Sequence, residues 1–434
     1  MSVRNVLVFP AGTEIGLEIH QALSHCKEVR LFGAGVGTPN HGPFAFERHF
    51  SLPLITEPNW LEELIALCQK LSIDYIFPAY DDVIVALANA QQYIPAVVLT
   101  APLDACLVTR SKRATYAALQ NMLRVPKIFD DVPDAKDYPL IVKPDRGQGS
   151  QGVALVRTQA ELVLAMGALS EPLVCEFLPG DEFTVDCFSD RDRGVLFAGA
   201  RARRRTRNGI SVNTVTVEID DVDEMARSIQ AAFQLRGAWF FQMKRATDGR
   251  LSLLEVAPRI AGSMSLHRVI GVNFPLLTIL EHERVRLDIL LNAGEIELDR
   301  ALRNRYRHKI VFSVLYIDLD DTLLLRGQVN PEAVRLIFQC RNLGVKVKLI
   351  TRHAGDLGQT LKQFYLSGIF DEIIHIKDGR PKSDFIVETE AILVDDSFSE
   401  RFEAHQRLGI YTFDGSMIEL LTEQAQSLLG QKNG

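Results

Sequence analysis

Pro139-Leu-Ile-Val-Lys-Pro-Asp-Arg-Gly-Gln-Gly-Ser-Gln-Gly-Val153 is the stretch on which the fold turns. Its apolar run, Leu140–Lys143, reads as a short strand. The strand ends on a lysine and opens into a loop holding Gly147, Gly149 and Gly152. Glycines let backbone N–H groups come close to phosphate oxygens, and a lysine adds a point charge. Taken alone, the pattern also suits a plain glycine-rich hairpin.

Working outward, Glu176-Phe-Leu-Pro-Gly-Asp-Glu-Phe-Thr-Val-Asp186 follows downstream. An extended hinge of this kind can pair its backbone with an adenine edge, while Glu182 accepts ribose hydroxyls. Further on, the segment 242–263 reads as a hairpin that ends in an acid, Glu255, and an arginine, Arg259. Upstream, Val6–Phe9, Tyr75–Ala79 and Val97–Thr100 read as strands, and Ala11–Gly16 as a glycine turn into a helix. Short strands alternating with helix-length stretches throughout indicate α/β architecture.

Residues 1–297 together resemble the ATP-grasp superfamily, near the carboxylate–amine ligases related to carbamoyl-phosphate synthase and biotin carboxylase. The resemblance implies a Rossmann-like pre-ATP-grasp domain over 1–105 and an ATP-grasp domain over 106–300. It makes Lys112 and Lys143 the ATP-contacting lysines and Gly147, Gly149, Ser150 and Gly152 the phosphate loop. Glu176 with the backbone of Phe177 and Leu178 becomes the adenine hinge, and Glu182 the ribose contact. Gln242 and Glu255 fall at metal-side positions. Arg259 falls where an arginine faces the transferred phosphate or acyl phosphate. One position departs from the pattern: where relatives carry Asn two residues after the metal-binding Glu, this chain has Ala257. A methyl group cannot coordinate Mg²⁺. The implied reaction phosphorylates a carboxylate with ATP and lets an amine or related nucleophile displace the phosphate. A kinase acting on a hydroxyl, and a nucleotide sensor without catalysis, are the alternatives. The basic run Arg201–Arg207 offers Arg203 or Arg205 to phosphates or a substrate carboxylate. His267 reads as structural, and Asp81-Asp82 as either a cleft lining or a helix cap.

From Val311 onward a second chemistry is written. Tyr316-Ile-Asp-Leu-Asp-Asp-Thr-Leu323 places Asp318 and Asp320 directly after an apolar strand. Thr351 ends the strand Val345–Ile350, Lys382 lies in Gly379–Asp384, and Asp395-Asp396 follows the strand Ala391–Val394. Asp318 can attack phosphorus and form an aspartyl-phosphate, and Asp320 can protonate the leaving oxygen and then activate water. Thr351 and Lys382 can hold phosphoryl oxygens. Asp395 and Asp396, with Asp318, Asp320 and Glu400 beside them, would repel a phosphate unless Mg²⁺ neutralised them. The series resembles the haloacid dehalogenase (HAD) superfamily over 311–434. That implies a HAD-like Rossmannoid domain and a phosphatase with Asp318 as nucleophile. The gaps between Thr322, Thr351 and Lys382 each hold about one helix and one strand, too little for a large cap. An Arg-rich helix over Asp299–Arg307 is expected to link the blocks.

The whole-chain expectation is a bifunctional enzyme, an ATP-dependent ligase joined to a phosphatase. It would use ATP and Mg²⁺, or Mn²⁺ in its place. Its substrates would be a small carboxylate and an amine, or a phosphorylated metabolite, and it could work as a homodimer. A net charge of −7 argues against nucleic acid. Six scattered cysteines without a CxxC pair fit reduced thiols in a cytoplasmic protein. Met1–Phe9 runs straight into a strand, without the pattern of a secretory leader. No apolar run reaches the roughly 18 residues of a membrane span.

Overall fold

The computed structural model describes residues 3–36, 40–131, 133–147, 149, 151–292, 294–302, 304–306 and 308–422. The chain divides into two compact units, Met1–Leu302 and Arg303–Gly434.

In the first unit, β1 (Arg4–Phe9), β2 (Val29–Gly35), β3 (His49–Ser51), β4 (Tyr75–Pro78) and β5 (Val97–Val98) form a parallel sheet in the order β3-β2-β1-β4-β5. Val6, Leu7 and Val8 are fully buried, so both faces of the central strand are covered by helices, as a parallel sheet requires. The helix Glu14–Leu23 starts where the Thr13 hydroxyl accepts from the Gly16 amide at 3.0 Å. Next come β6 (Leu140–Pro144), β7 (Ala154–Val156) and β8 (Pro172–Glu176), an antiparallel trio in the order β7-β6-β8. A six-stranded antiparallel sheet completes the unit. Its strands are β9 (Glu182–Asp190), β10 (Gly194–Arg207), β11 (Ile210–Thr216), β12 (Gly237–Arg245), β13 (Leu251–Ala257) and β14 (Glu297–Asp299), in the order β13-β12-β9-β10-β11-β14.

The helix expected over Asp299–Arg307 is not found. Asp299 closes β14, which pairs with β11 through Asn213↔Asp299, and the described residues beyond it are not helical. Arg205 and Asn213 both bind the Asp299 carboxylate, so side chains on the neighbouring strands draw this segment to the sheet edge. Arg303 and Arg307 lie outside the described residues.

One polar cluster is sealed inside this large sheet. Asp186 on β9 is fully buried and takes Arg201 Nε at 2.9 Å and His267 Nδ1 at 2.9 Å. Burial alone would raise the Asp186 carboxyl; Arg201 and His267 outweigh it and hold it below the ordinary carboxylate value. A depressed folded-state value adds stability above the unfolded pKa, which is lost as pH falls through the folded one. Asp186→Asn therefore destabilises the first unit by about 3–5 kcal/mol at neutral pH, because Arg201 stays buried without a counter-charge. Urea melts at pH 7 measure the loss, and the gap to the unmodified protein closes once the pH drops below Asp186's folded value. An unchanged midpoint at pH 7 would show that the pair is dispensable.

In the second unit, β15 (Val314–Ile317), a short hairpin of β16 (Leu324–Leu325) and β17 (Gln328–Val329), then β18 (Lys346–Thr351), β19 (Glu372–His375), β20 (Ala391–Val394) and β21 (Tyr411–Phe413) appear in turn. The main sheet is parallel in the order β19-β18-β15-β20-β21. Between Thr322 and Thr351 stand only the hairpin, the helix Pro331–Asn342 and β18. Asn330 caps that helix by accepting from the Glu332 amide, and Pro331 opens it.

Candidate functional sites

The first site is a cleft of about 190 Å³ between the three-stranded and the six-stranded sheets of the first unit. From the smaller sheet, β6 contributes Lys143 and β8 contributes Glu176, with Phe177 and Leu178 just beyond. From the larger, Glu182, Gln242 and Glu255 face them. Gln242 and Glu255 are register partners on β12 and β13, which explains how residues 13 apart in sequence share one wall. Lys112, Gly147 and Gly149 close one end. Gly152 is not part of the lining; it turns at φ +71 against Pro144 and Leu169. Ser150 lies outside the described residues.

Lys143 is 8% exposed, and its Nζ donates to the Tyr116 hydroxyl at 2.9 Å. Tyr116 in turn donates to the Leu254 carbonyl at 2.8 Å. Burial pulls the Lys143 ammonium below its ordinary value, with Cys175, Glu255 and Glu182 opposing. Lys112 Nζ reaches the carbonyls of Asp145 and Gly147, both at 3.3 Å, and burial lowers it as well. Two half-starved ammonium groups beside a glycine loop form a strong site for a polyanion. The tip of the β10–β11 hairpin lies on that loop. A side chain at Gly209 would come within 2.1 Å of the Gly149 backbone, and φ there is +71.

Glu176 is held by Arg124 at 2.6 Å and by the Lys127 amide, so its side chain is tied down beside Phe177 and Leu178, which line the cleft. Arg203 pairs with Glu182 and donates to Gln242 Oε1 at 3.0 Å. Arg205 instead points to Asp299 at the exposed edge. Gln242 and Glu255 offer one amide oxygen and one carboxylate, and Ala257 offers none. That set suits a Mg²⁺ that keeps several waters.

Arg259 sits in an adjoining cavity that shares Lys112, Gly147 and Glu255 with the cleft. Its Nε pairs with Asp81, and its guanidinium lies 5.0 Å over the Phe240 ring. Burial would push the Asp81 carboxyl up, yet Arg259, Arg110 and Lys112 bring it below the ordinary value. His267 is on neither wall; it belongs to the buried Asp186–Arg201 cluster.

The second site lies at the carboxyl ends of β15, β18 and β20. These are parallel neighbours, so the residues that follow them meet along one sheet edge. Lys382 Nζ lies 2.7 Å from Asp318 Oδ1 and 2.6 Å from Asp395 Oδ2. Asp318, Asp395 and Asp396 each place an oxygen within 4.8 Å of the others'. An all-oxygen, carboxylate set fits Mg²⁺. Burial pushes the Asp318 carboxyl up to about 6, with Lys382 drawing it down and Asp395 raising it. Thr322 Oγ1 accepts from the Asp396 amide at 2.9 Å, and Thr351 Oγ1 accepts from the His353 amide at 3.1 Å. Glu400 accepts from the Lys382 amide at 3.0 Å and pairs with Arg352.

Asp320 is not in that carboxylate cluster. It is half exposed and turned to His353 Nδ1 at 3.0 Å. The imidazole is fixed from its other side by Thr360 Oγ1 at 2.9 Å. Tyr116 and His353 are the contacts that reading the sequence missed. His353 stands two residues past Thr351, close enough to have been considered; Tyr116 lies 27 residues from Lys143 and gives no local signal.

Residues 168–290 match the family described as ATP-grasp in the biosynthetic pathway with Ter operon. A D-alanine–D-alanine ligase from Fusobacterium nucleatum is 28% identical over 93 residues, 21% of this chain. The match spans about a third of that relative's length, 32%. Among solved structures, the biotin carboxylase of Campylobacter jejuni in a β,γ-ATP complex aligns with TM-score 0.57 and 16% identity, over 68% of this chain and 75% of its own. An N5-carboxyaminoimidazole synthetase from Staphylococcus aureus complexed with ADP gives 0.56 and 15%, over 67% and 81%. An L-amino acid ligase from Bacillus licheniformis gives 0.52 and 18%, over 64% and 74%. These likenesses establish a mixed α/β, ATP-grasp-like fold. No helix among the described residues is long and apolar enough to cross a membrane.

Proposed function

We propose that the first unit is an ATP-dependent ligase that activates a small-molecule carboxylate as an acyl phosphate for attack by an amine. One observation carries the reading: a buried lysine and a half-buried one, a glycine loop, a hinge and the Gln242–Glu255 pair all line a single cleft. Lys112 and Lys143 would hold the phosphates, the Phe177–Leu178 backbone the base, and Glu182 the ribose. Arg259 would offset the charge that gathers between two anions. Mg²⁺ bound at Gln242 and Glu255 would supply further charge neutralisation. The names of the relatives, two of them amino acid ligases, favour this class over a hydroxyl kinase.

We further propose that the second unit is a phosphatase of the haloacid dehalogenase type. Asp318 would attack phosphorus, Lys382 and Thr351 would steady the phosphoryl oxygens, and Asp320, oriented by His353, would move the proton. Asp318, Asp395 and Asp396 would hold Mg²⁺.

Incubating the protein with ATP, Mg²⁺ and panels of acid–amine pairs, while following phosphate and new masses, tests both halves. The ligase reading expects ADP and a condensation product from matched pairs; ADP with a stable phospho-alcohol would replace it with the kinase. Ala257 favours one other outcome, a nucleotide sensor. In that case ATP binds and is never consumed, and Lys143→Ala alters phosphatase rate.

A further inference from the structure

The cavity next to the nucleotide cleft has a composition of its own. Its lining includes charged residues, Asp81, Arg110, Lys112, Glu255 and Arg259. It also includes apolar ones, Ile84, Val85, Cys106, Val256 and Ala257. Its volume is about 40 Å³, room for roughly three waters. Three of its residues, Lys112, Gly147 and Glu255, also line the nucleotide cleft, so the two spaces meet at the glycine-loop end.

The cations in it are not equally committed. Arg110 is tied to Asp82 at 2.8 Å. Arg259 spends Nε on Asp81 and Nη1 on the Ile260 carbonyl at 3.1 Å, and among the described residues its Nη2 has no protein partner. Asp81 comes from the start of the helix Asp81–Ala90, between β4 and β5 of the parallel sheet, and Arg259 from just past β13. The ion pair therefore fixes the guanidinium from across the cavity and leaves one edge for a ligand.

We propose that this cavity is the acyl-donor pocket of the ligase, and that it takes a short carboxylic acid of about two to four carbons. The inference rests on the ligase reading given above. The carboxylate would meet Arg259 and Lys112, and the tail would lie on Ile84, Val85, Cys106 and Ala257. Ala257 then has a positive role: its methyl, useless to a metal, is part of the apolar wall and limits tail length. Asp81 is a positioning residue for Arg259.

Hydroxylamine replaces the unknown amine in the test. A carboxylate oxygen attacks the γ-phosphorus, the bond to the bridging oxygen breaks, and ADP leaves with that electron pair. The hydroxylamine nitrogen then attacks the acyl carbon, phosphate leaves, and the nitrogen's proton passes to solvent. The full-length protein with ATP, Mg²⁺ and hydroxylamine is given acetate, propionate, butyrate, octanoate or benzoate, and hydroxamate is measured. Hydroxamate is expected from the short acids at rates at least about tenfold above octanoate and benzoate. In Ala257→Val the ratio of butyrate to acetate turnover falls at least about tenfold, and in Ala257→Gly it rises. Thermal stabilisation by ATP shows that each variant is folded. Benzoate turning over at the acetate rate, or a ratio that Ala257→Val leaves unmoved, overturns the pocket and spares the ligase. Silence with every acid, while ATP still stabilises the fold, overturns the short-acid pocket, and the ligase reading then stands or falls on the wider acid–amine panel.

Discussion

On the proposed phosphatase reading, Asp318→Asn is expected to leave the second unit folded and to stop its hydrolysis of p-nitrophenyl phosphate, by on the order of 10⁴-fold or more, the scale on which losing a nucleophile is felt. An amide oxygen is too poor a nucleophile to open the covalent route. The fold has no reason to suffer. Asp318 shares one buried ammonium, Lys382, with Asp395, and its carboxyl is pushed up to about 6 by burial first of all. An uncharged isostere removes a desolvated charge and leaves the Lys382–Asp395 pair in place. The melting temperature of this unit is therefore expected to stay level or rise. Residual activity within about tenfold of the unmodified protein would mean that phosphorus is attacked by water instead.

Lys143→Ala has the larger effect on the nucleotide side. A charge-assisted hydrogen bond to phosphate from a desolvated ammonium contributes about 1.5–3 kcal/mol, so ATP affinity drops roughly 10- to 150-fold. Lys143 has one protein partner to lose, the Tyr116 hydroxyl, which keeps its bond to the Leu254 carbonyl. Apo stability should therefore move little, apart from the space left by the stem. ATP-dependent shifts in melting temperature report the affinity through mass action. Lys143→Met, which keeps the stem and removes the charge, should lose the same affinity. If Met restored ATP binding, packing and not charge would be the lysine's contribution.

How much of this was legible in the residues depends on distance along the chain. Asp318, Thr351 and Asp395 announce themselves because each follows an apolar strand, and adjacent parallel strands bring such residues to one edge whatever lies between. Lys143 and the glycine loop are equally local. Pairings across elements leave no trace in sequence. Asp81 and Arg259 are 178 residues apart, and nothing in Asp81-Asp82 separates a cap from a cleft. The run Arg201–Arg207 offers Arg203 or Arg205 to an anion when read as sequence; its strand sends Arg201 into the core, Arg203 to the cleft, and Arg204 and Arg205 to the sheet edge. The helix expected over Asp299–Arg307 failed for a related reason: arginine and leucine favour helices, but β11 presented an open edge and a donor, Asn213 Nδ2, for the Asp299 carboxylate. Asp320, expected as proton carrier and at the metal, stands beside His353 and apart from the Asp318–Asp395–Asp396 cluster.

The central claim is that the cleft of the first unit passes phosphate from ATP to a carboxylate before any new bond to nitrogen forms. An acid carrying ¹⁸O in its carboxylate, supplied with ATP, Mg²⁺ and hydroxylamine to the Asp318→Asn protein, makes that step visible in the mass of the phosphate released. One ¹⁸O per phosphate, matched to hydroxamate formed, is the predicted result. Hydroxamate accompanied by unlabelled phosphate would contradict the account, because the carboxylate would never have been joined to phosphorus.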